Sequence, residues 1–126
     1  MNADQFDKDV LANQLPNYVF YIPDLKNDGH DTGVSYADKW YGRKFGPMIS
    51  NPDQMKNTVL ISTFDESGWS FKNLIYTTIV GPDVKPGEYS DSINHFSLLR
   101  LVEDNWSLGT LHKQDDTAPP LPLIWK

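Results

Sequence analysis

The hydrophobic positions of the chain first indicate three helices. In residues 4–14, 35–49 and 93–108, apolar side chains recur every three or four positions, which is the spacing of an amphipathic α-helix. Ser35 begins an approximate capping box for the second helix, and Ser92 is a suitable cap for the third. These three stretches therefore form the predicted helical part of the fold.

Three other stretches have the composition of β-strands. Residues 18–22, 58–64 and 74–81 are rich in aromatic and β-branched side chains. The run 58–64 is almost continuously apolar or β-branched, as expected of a strand that is covered on both faces. Helices and strands alternate, which predicts an α/β protein with about three strands and flanking helices. The length suits one domain over residues 1–126.

Composition excludes several classes of function. The 126 residues carry a formal net charge of −6 and no basic cluster, so we expect no nucleic-acid partner. No apolar run approaches the roughly 20 residues of a membrane-spanning helix. The chain has no cysteine, which excludes disulfides and thiolate metal sites. Its first ten residues are polar and acidic, so we expect no signal peptide there, and the compartment stays open.

Two adjacent carboxylates are the first candidate site. Asp65 and Glu66 directly follow the predicted strand 58–64, and ligands of open α/β sheets bind beyond the carboxyl ends of the strands. The two charges repel each other, and a divalent cation relieves that repulsion by binding their hard oxygens. The alternative is an exposed turn in which Asp65 accepts backbone hydrogen bonds.

Two histidines are the second candidate site. His30 lies between Asp28 and Asp31 in a loop, where a neighbouring carboxylate would raise its pKa and suit it to general acid catalysis or phosphate contact. The alternative is a solvated loop histidine. His95 lies in the first turn of the third predicted helix, where a neutral imidazole could bind a metal or a phosphate group. The alternative is an ordinary polar position on that helix.

Aromatic residues could form a sugar-binding platform, although such residues more often belong to the core. Trp40 and Trp106 lie on predicted apolar helix faces and are expected to be core residues. Trp69 follows Glu66 in a loop, so we expect it to border any site there.

Four motifs in order along the chain resemble a known family. They are NDGHDT, ADKW at the head of a helix, MKNTVLISTFDE and NHFSLLRLVEDNWSLGTL. Together they resemble the phosphoesterase family of fungal acid phosphatases and bacterial phospholipases C, within the alkaline-phosphatase-like superfamily. The resemblance extends over about residues 15–115. It implies a partial α/β sandwich of the alkaline-phosphatase-like type and metal-assisted hydrolysis of a phosphate-ester substrate.

The resemblance also implies roles for individual residues. Asp65 and Glu66 match the acidic pair that holds a divalent metal ion in the family, with the identity of the metal open. His30 matches the histidine that contacts phosphate or protonates the leaving group. His95 matches the late active-site histidine of the superfamily. Glu103 matches a helix acid with a structural role. No separate organic cofactor is implied.

The chain resembles only the C-terminal half of that family's domain. In the relatives, the nucleophile and the remaining metal ligands lie in an N-terminal half, and Thr32, Ser62 and Thr63 do not match the nucleophile motif. A missing N-terminal half or a second copy of the chain is therefore the expected protein partner. A metal-assisted hydrolase that needs such a partner is the first functional hypothesis. The alternatives are a non-catalytic binding protein and a remnant without function. The family is commonly secreted, but nothing in this chain would direct secretion.

Overall fold

The computed structural model of the protein describes residues 2–68 and 71–126. The described residues form two compact units, Met1–Pro82 and Asp83–Lys126, which are treated in turn below. None of the described helices is long and apolar enough to cross a membrane. The mixture of helix and strand agrees with the predicted α/β class. In chain order the elements are α1 (Ala3–Leu11), α2 (Val34–Ile49), α3 (Pro52–Met55), β1 (Leu60–Thr63), β2 (Thr77–Val80), α4 (His95–Trp106) and a 3-10 helix (Gln114–Thr117).

The core of the first unit joins its three helices. Phe6 from α1, Phe45 and Met48 from α2, and Met55 from α3 are buried against one another. The rings of Phe6 and Phe45 meet edge to face, with 5.9 Å between their centroids. Such an arrangement adds to the free energy of apolar burial. Trp40 packs against the same cluster, as its place on an apolar helix face predicted.

Helix α2 begins differently from the prediction. Its N-cap is Gly33, with φ at 88°, and no side chain caps the helix. The Gly33 carbonyl accepts hydrogen bonds from the N–H groups of Tyr36 and Ala37, at 3.1 and 3.2 Å. The predicted capping box at Ser35 is therefore wrong, because Ser35 already lies inside the helix. Glycine adopts this positive φ at little cost, which explains why the chain can turn into the helix here.

The described strands form one two-stranded antiparallel sheet. Leu60 of β1 pairs with Val80 of β2, and Thr63 pairs with Thr77 at the other end. The predicted strand at 18–22 belongs to no sheet in the part of the chain that the structure describes, so the expectation of about three strands is corrected to two there. Among the described residues, the backbone groups of residues 19–22 form no hydrogen bond, and a strand is defined by its pairing.

The expectation that β1 is covered on both faces is also wrong. Leu60, Ile61 and Ser62 are only partly buried, and Thr63 is exposed. The physical reason is that β1 has one partner strand, and the described core packs against it mainly through Leu60. The larger alkaline-phosphatase-like sandwich is an expectation that this small sheet leaves untested.

Helix α4 is the first helix of the second unit. The Asn94 side chain accepts a hydrogen bond from the Ser97 N–H, and the Ser97 hydroxyl accepts one from the Asn94 N–H. This reciprocal capping box places the helix start two residues beyond the predicted cap, Ser92. The helix ends at Ser107, which adopts the left-handed conformation with φ at 54°.

The interior of the second unit is largely polar. Among its residues, Ile124 is the one large apolar side chain that is fully buried, while Ser97, Glu103 and Asp115 are buried polar groups. The chain terminus is fixed by an isolated antiparallel bridge between Val84 and Trp125. This unit therefore relies on internal hydrogen bonds more than on a large apolar core.

Candidate acidic and histidine site

The loop between residues 22 and 33 is built by short-range hydrogen bonds. The Asp24 carboxylate accepts from the N–H groups of Lys26 and Asn27, at 3.0 and 3.1 Å, which is the behaviour of an Asx turn. The Thr32 hydroxyl donates to the Lys26 carbonyl at 2.6 Å and ties the two ends of the loop together. Gly29 has φ at 97°, and a Cβ atom there would lie 3.3 Å from the Ala37 Cβ. These constraints fix the backbone from which His30 projects.

His30 is held by the two aspartates that flank it. Its backbone N–H donates to Asp28 Oδ1 at 2.8 Å, and its ring Nδ1 lies 2.9 Å from Asp31 Oδ1. The hydrogen bond to Asp31, followed by the charge of Asp31, raises the pKa of His30 above its ordinary value. The ring is 73% exposed. The structure thus gives a solvent-facing imidazole that keeps its proton to higher pH than a free histidine.

Asp65 and Glu66 lie just beyond the end of β1, as the sequence predicted, and both are exposed. The Glu66 N–H donates to Asp65 Oδ1 at 3.0 Å, which is the turn-type hydrogen bond of the alternative interpretation. The Asp65 charge also raises the pKa of His30, although less than the other named causes. The structure therefore brings Asp65 into the electrostatic neighbourhood of His30. Trp69, which we expected to border this site, lies outside the described residues.

The acidic pair does not make a complete metal site in this chain. In residues 2–68 and 71–126, no group of three or more histidine or acidic side chains has an arrangement that could hold a metal ion. One oxygen of Asp65 is also engaged by the Glu66 N–H. Hard cations such as Mg²⁺ and Ca²⁺ take about six or more oxygen ligands. Asp65 and Glu66 could at most contribute part of such a shell.

The three hydroxyls near the acidic pair are occupied by other contacts. Ser62 Oγ lies 2.6 Å from the Tyr41 hydroxyl, and Thr63 Oγ1 lies 2.8 Å from the hydroxyl of Thr77. Thr32 donates to a backbone carbonyl. An activated nucleophile needs a base within hydrogen-bond distance, and none of these contacts is to an imidazole or a carboxylate. None of the three has the surroundings of a nucleophile.

His95 belongs to the second unit and is the first residue of α4. Its side chain is exposed, and the adjacent Asn94 caps the helix. The position at the start of a helix is the one that the sequence predicted. Unpaired backbone N–H groups and the helix dipole favour anions at such a position, which is compatible with contact to a phosphate group.

A cluster around His112 was not predicted from the sequence. The Thr110 hydroxyl donates to Asp116, and the ring Nδ1 of His112 lies 3.3 Å from the other carboxylate oxygen. The hydrogen bond from Thr110, followed by that from His112, lowers the pKa of Asp116. These contacts join Thr110, His112 and Asp116 in one turn of the second unit. The turn depends on the positive φ of His112, 55°, which no sequence motif indicates.

A second acidic pair, Glu103 and Asp115, is buried in the second unit. Asp115 is 1% exposed, and its carboxylate accepts from the N–H groups of Leu111 and Lys113, at 2.6 and 2.9 Å. Glu103 is 5% exposed, and its Oε2 atom has no hydrogen-bond partner among the described residues. Burial, followed by the charge of Asp115, raises the pKa of Glu103. These contacts agree with the structural role that the resemblance implied for Glu103.

Comparisons with known proteins give one consistent family. The model of the phosphoesterase family matches residues 1–109. The chain is 35% identical to a probable acid phosphatase of Kluyveromyces lactis, with 98% of the chain and 30% of the relative covered. It is 32% identical to an acid phosphatase of Aspergillus fumigatus, with coverage of 98% and 29%. It is 33% identical to a phosphatidylinositol-3-phosphatase of Mycobacterium tuberculosis, with coverage of 88% and 36%.

The chain thus spans about a third of the length of the curated relatives it matches. No solved structure matches it significantly.

Proposed function

This chain belongs to the phosphoesterase family, and we propose that it forms part of a hydrolase that acts on phosphate-ester bonds. The names of the relatives support this proposal, because acid phosphatases and a phosphatidylinositol phosphatase all cleave phosphate esters. The shared chemistry is the hydrolysis of a phosphoryl oxygen bond. The identity of the alcohol group is left open by these names.

The observation that supports this function best is the hydrogen bond between the His30 imidazole and the Asp31 carboxylate. An imidazole with a raised pKa is protonated in weak acid and can donate a proton to a leaving oxygen or stabilise phosphate charge. Its ring is exposed, so a substrate can approach it. Asp31 holds the ring through Nδ1, which leaves Nε2 as the atom that faces the substrate. His30 is therefore the proposed general acid or phosphate contact.

We assign the metal to Asp65 and Glu66 within the same proposal. Both carboxylates follow β1, the charge of Asp65 raises the pKa of His30, and the pair offers the hard oxygens that a divalent cation prefers. The remaining ligands would come from the part of the family fold that this chain does not span. A bound divalent ion would supply Lewis-acid stabilisation of the phosphoryl charge. His95 is the second proposed phosphate contact, because it begins a helix.

The same proposal places the two units within a larger alkaline-phosphatase-like sandwich. The chain covers 30% of the Kluyveromyces lactis relative, and its described residues near Asp65 contain no hydroxyl beside a base. We therefore expect the nucleophile to come from the remainder of that fold. A binding protein without turnover is the second candidate, and the same lack of an activated hydroxyl favours it.

A chimeric enzyme tests the function. This chain replaces the matching third of the Kluyveromyces lactis relative, and hydrolysis of a chromogenic phosphate monoester is measured from acid to neutral pH with several divalent metals. We expect turnover in the chimera and none in the isolated chain. His30→Ala in the chimera should lower kcat by roughly 100-fold or more if His30 is the general acid.

The matched control is His112→Ala. His112 is also an exposed histidine beside an aspartate, but it belongs to a turn cluster in the second unit. Its removal should leave kcat close to that of the parent chimera. Equal activity of both variants and the parent would contradict the role of His30. A folded chimera that binds phosphate but never turns over would favour the binding protein.

A further inference from the structure

The segment of residues 19–22 has one buried side and one exposed side. Val19 and Tyr21 pack against the core of the first unit, and the Tyr21 ring lies 5.4 Å from that of Phe45. Phe20 and Ile22 point the other way and are 76% and 75% exposed. Alternation of this kind is the side-chain pattern of a β-strand. The segment thus has the side-chain pattern of a strand, although it belongs to no sheet among the described residues.

The backbone of this segment is open to pairing. Among the described residues, the N–H and C=O groups of residues 19–22 form no hydrogen bond. In a folded domain such groups are normally paired within a sheet, and an unpaired row of them is a template for another strand. A cavity of about 100 Å³ lies beside the segment, lined by Ala3, Phe6 and residues 19–22. This space could receive a side chain from an added strand.

We propose that residues 19–22 are a docking edge that pairs with a β-strand from the part of the phosphoesterase fold that this chain does not span. The mode is β-strand addition, in which main-chain hydrogen bonds give affinity and alternate side chains give specificity. The proposal rests on family membership and on this edge, and it does not require that His30 or Asp65 act in catalysis.

The length of the relatives supports this partner. The chain covers 30% of the Kluyveromyces lactis protein and 29% of the Aspergillus fumigatus protein, so most of the relatives' domain lies outside the match. Further apolar side chains are exposed around the β1–β2 sheet, including Phe64, Leu74 and Tyr76. A large polypeptide could cover these as well as the edge.

A second copy of the chain fits this surface less well. Pairing two copies edge to edge through residues 19–22 gives no role to the apolar side chains exposed around the β1–β2 sheet. Each copy also carries a formal net charge of −6, which opposes self-association at low ionic strength.

Co-expression tests the proposed edge. The chain carries an affinity tag and is expressed together with the part of the Kluyveromyces lactis relative that lies outside the match, as a separate polypeptide. We expect the two to co-purify. Phe20→Pro removes the backbone donor at the centre of the edge, and Ile22→Lys places a charge on its apolar side. Each should weaken the complex by roughly tenfold or more, since several hydrogen bonds and apolar contacts are lost together.

The matched control is Leu11→Lys. Leu11 is an apolar residue of the same unit with 81% exposure, but it lies at the end of α1 and outside the edge. It should bind as the wild type does, and circular dichroism should show the same helix content for all variants. Equal binding of the edge variants and Leu11→Lys would overturn the proposal. Self-association through residues 19–22 that the added polypeptide does not displace would also overturn it.

A second measurement covers the case in which the separate polypeptide is insoluble. In the chimera described above, the amide hydrogens of residues 19–22 should exchange much more slowly than in the isolated chain. Fast exchange of these amides in a folded, active chimera would reject the edge while leaving the proposed catalysis intact. Slow exchange of these amides in a folded chimera without activity would support the docking edge and count against the proposed catalysis.

Discussion

The chain contains two pairs of neighbouring carboxylates whose environments are opposite. Asp65 and Glu66 are adjacent in sequence and exposed to water, whereas Glu103 and Asp115 are distant in sequence and buried. Exposed charges contribute little to stability, so they can be kept for an external partner. Buried charges need internal partners, so they become part of the fold. Burial, and not acidity, separates a candidate binding site from a structural site in this molecule.

The two members of the buried pair, Glu103 and Asp115, differ in their hydrogen bonds. Both oxygens of Asp115 accept backbone N–H groups, so its charge is solvated by the protein. The Oε2 atom of Glu103 has no partner among the described residues, and the nearest compensation comes from the charge of Arg100. Asp115 should therefore stabilise the second unit, whereas ionised Glu103 should oppose its folding.

The largest expected effect is that of Asp115→Ala. The substitution leaves the N–H groups of Leu111 and Lys113 without their acceptor in a partly buried turn. We expect the free energy of unfolding to fall by about 1 to 3 kcal/mol, because that is the cost of an unsatisfied buried group and water reaches part of this turn. Urea unfolding of the purified chain at neutral pH measures this change.

Asp65→Ala is the control that completes this comparison. Asp65 is exposed, so its removal should change the free energy of unfolding by less than about 0.5 kcal/mol. If Asp65→Ala is as destabilising as Asp115→Ala, the distinction between an exposed site and a structural pair does not hold.

The sequence predicted the helices and β1 and β2 because their periodicity is local. Their ends were less predictable, since Gly33 and Asn94 begin α2 and α4 where Ser35 and Ser92 were expected to. Residues 18–22 have a strand pattern, but pairing is a non-local property that depends on a partner. The alternation of buried and exposed side chains is present in residues 19–22, but the predicted third strand is not part of a sheet among the described residues.

In the candidate site, contacts between sequence neighbours were predictable, and contacts that depend on packing were not. Asp31 directly follows His30, so their contact and the raised pKa could be predicted from the sequence. Asp65 is 35 positions beyond His30, and only the packing of β1 brings its charge near. Glu103 and Asp115 meet because the 3-10 helix packs on α4, which no motif in the tail indicates.

The next largest effect that we expect is a change in how the free energy of unfolding depends on pH in the variant Glu103→Gln. The pKa of Glu103 is raised in the folded state, so the folded protein binds this proton more tightly than the unfolded chain does. Its contribution to stability is present below the unfolded pKa, at about pH 4, and is lost as pH rises through the folded pKa. Removing the charge should therefore stabilise the chain at neutral pH relative to the wild type.

Thermal unfolding from weakly acid to neutral pH measures this difference. The unfolding temperature of Glu103→Gln should exceed that of the wild type by an amount that grows as pH rises. The charged groups facing Glu103 are Arg100, Asp104, Asp115 and Asp116. The pKa of Asp116 is lowered, so its contribution has the opposite sign and is lost only in stronger acid. A constant difference between Glu103→Gln and the wild type would show that Glu103 does not titrate in this range.

At the exposed site we expect a change in titration and almost none in stability. Asp31→Asn removes the hydrogen bond and the charge that raise the pKa of His30 most. The pKa of His30 should move down toward its ordinary value, while the free energy of unfolding stays within about 0.5 kcal/mol of the wild type. NMR titration of the His30 ring measures the pKa. Asp116→Asn is the matched control, because it removes an exposed carboxylate beside a different histidine, His112, and should leave the pKa of His30 unchanged.

The smallest effect is the most informative about the candidate site. Asp65→Asn should also lower the pKa of His30, but by less than Asp31→Asn, because Asp65 acts through charge alone and contributes least among the named causes. The effect should weaken as salt is added, since exposed charges are screened within about 10 Å at 0.1 M. Asp91→Asn, an exposed substitution in the second unit, is the control for net charge. A His30 titration that responds equally to Asp65→Asn and Asp91→Asn would mean that His30 senses only the overall negative charge. A specific response would place the acidic pair and the histidine in one site even though they lie on different loops.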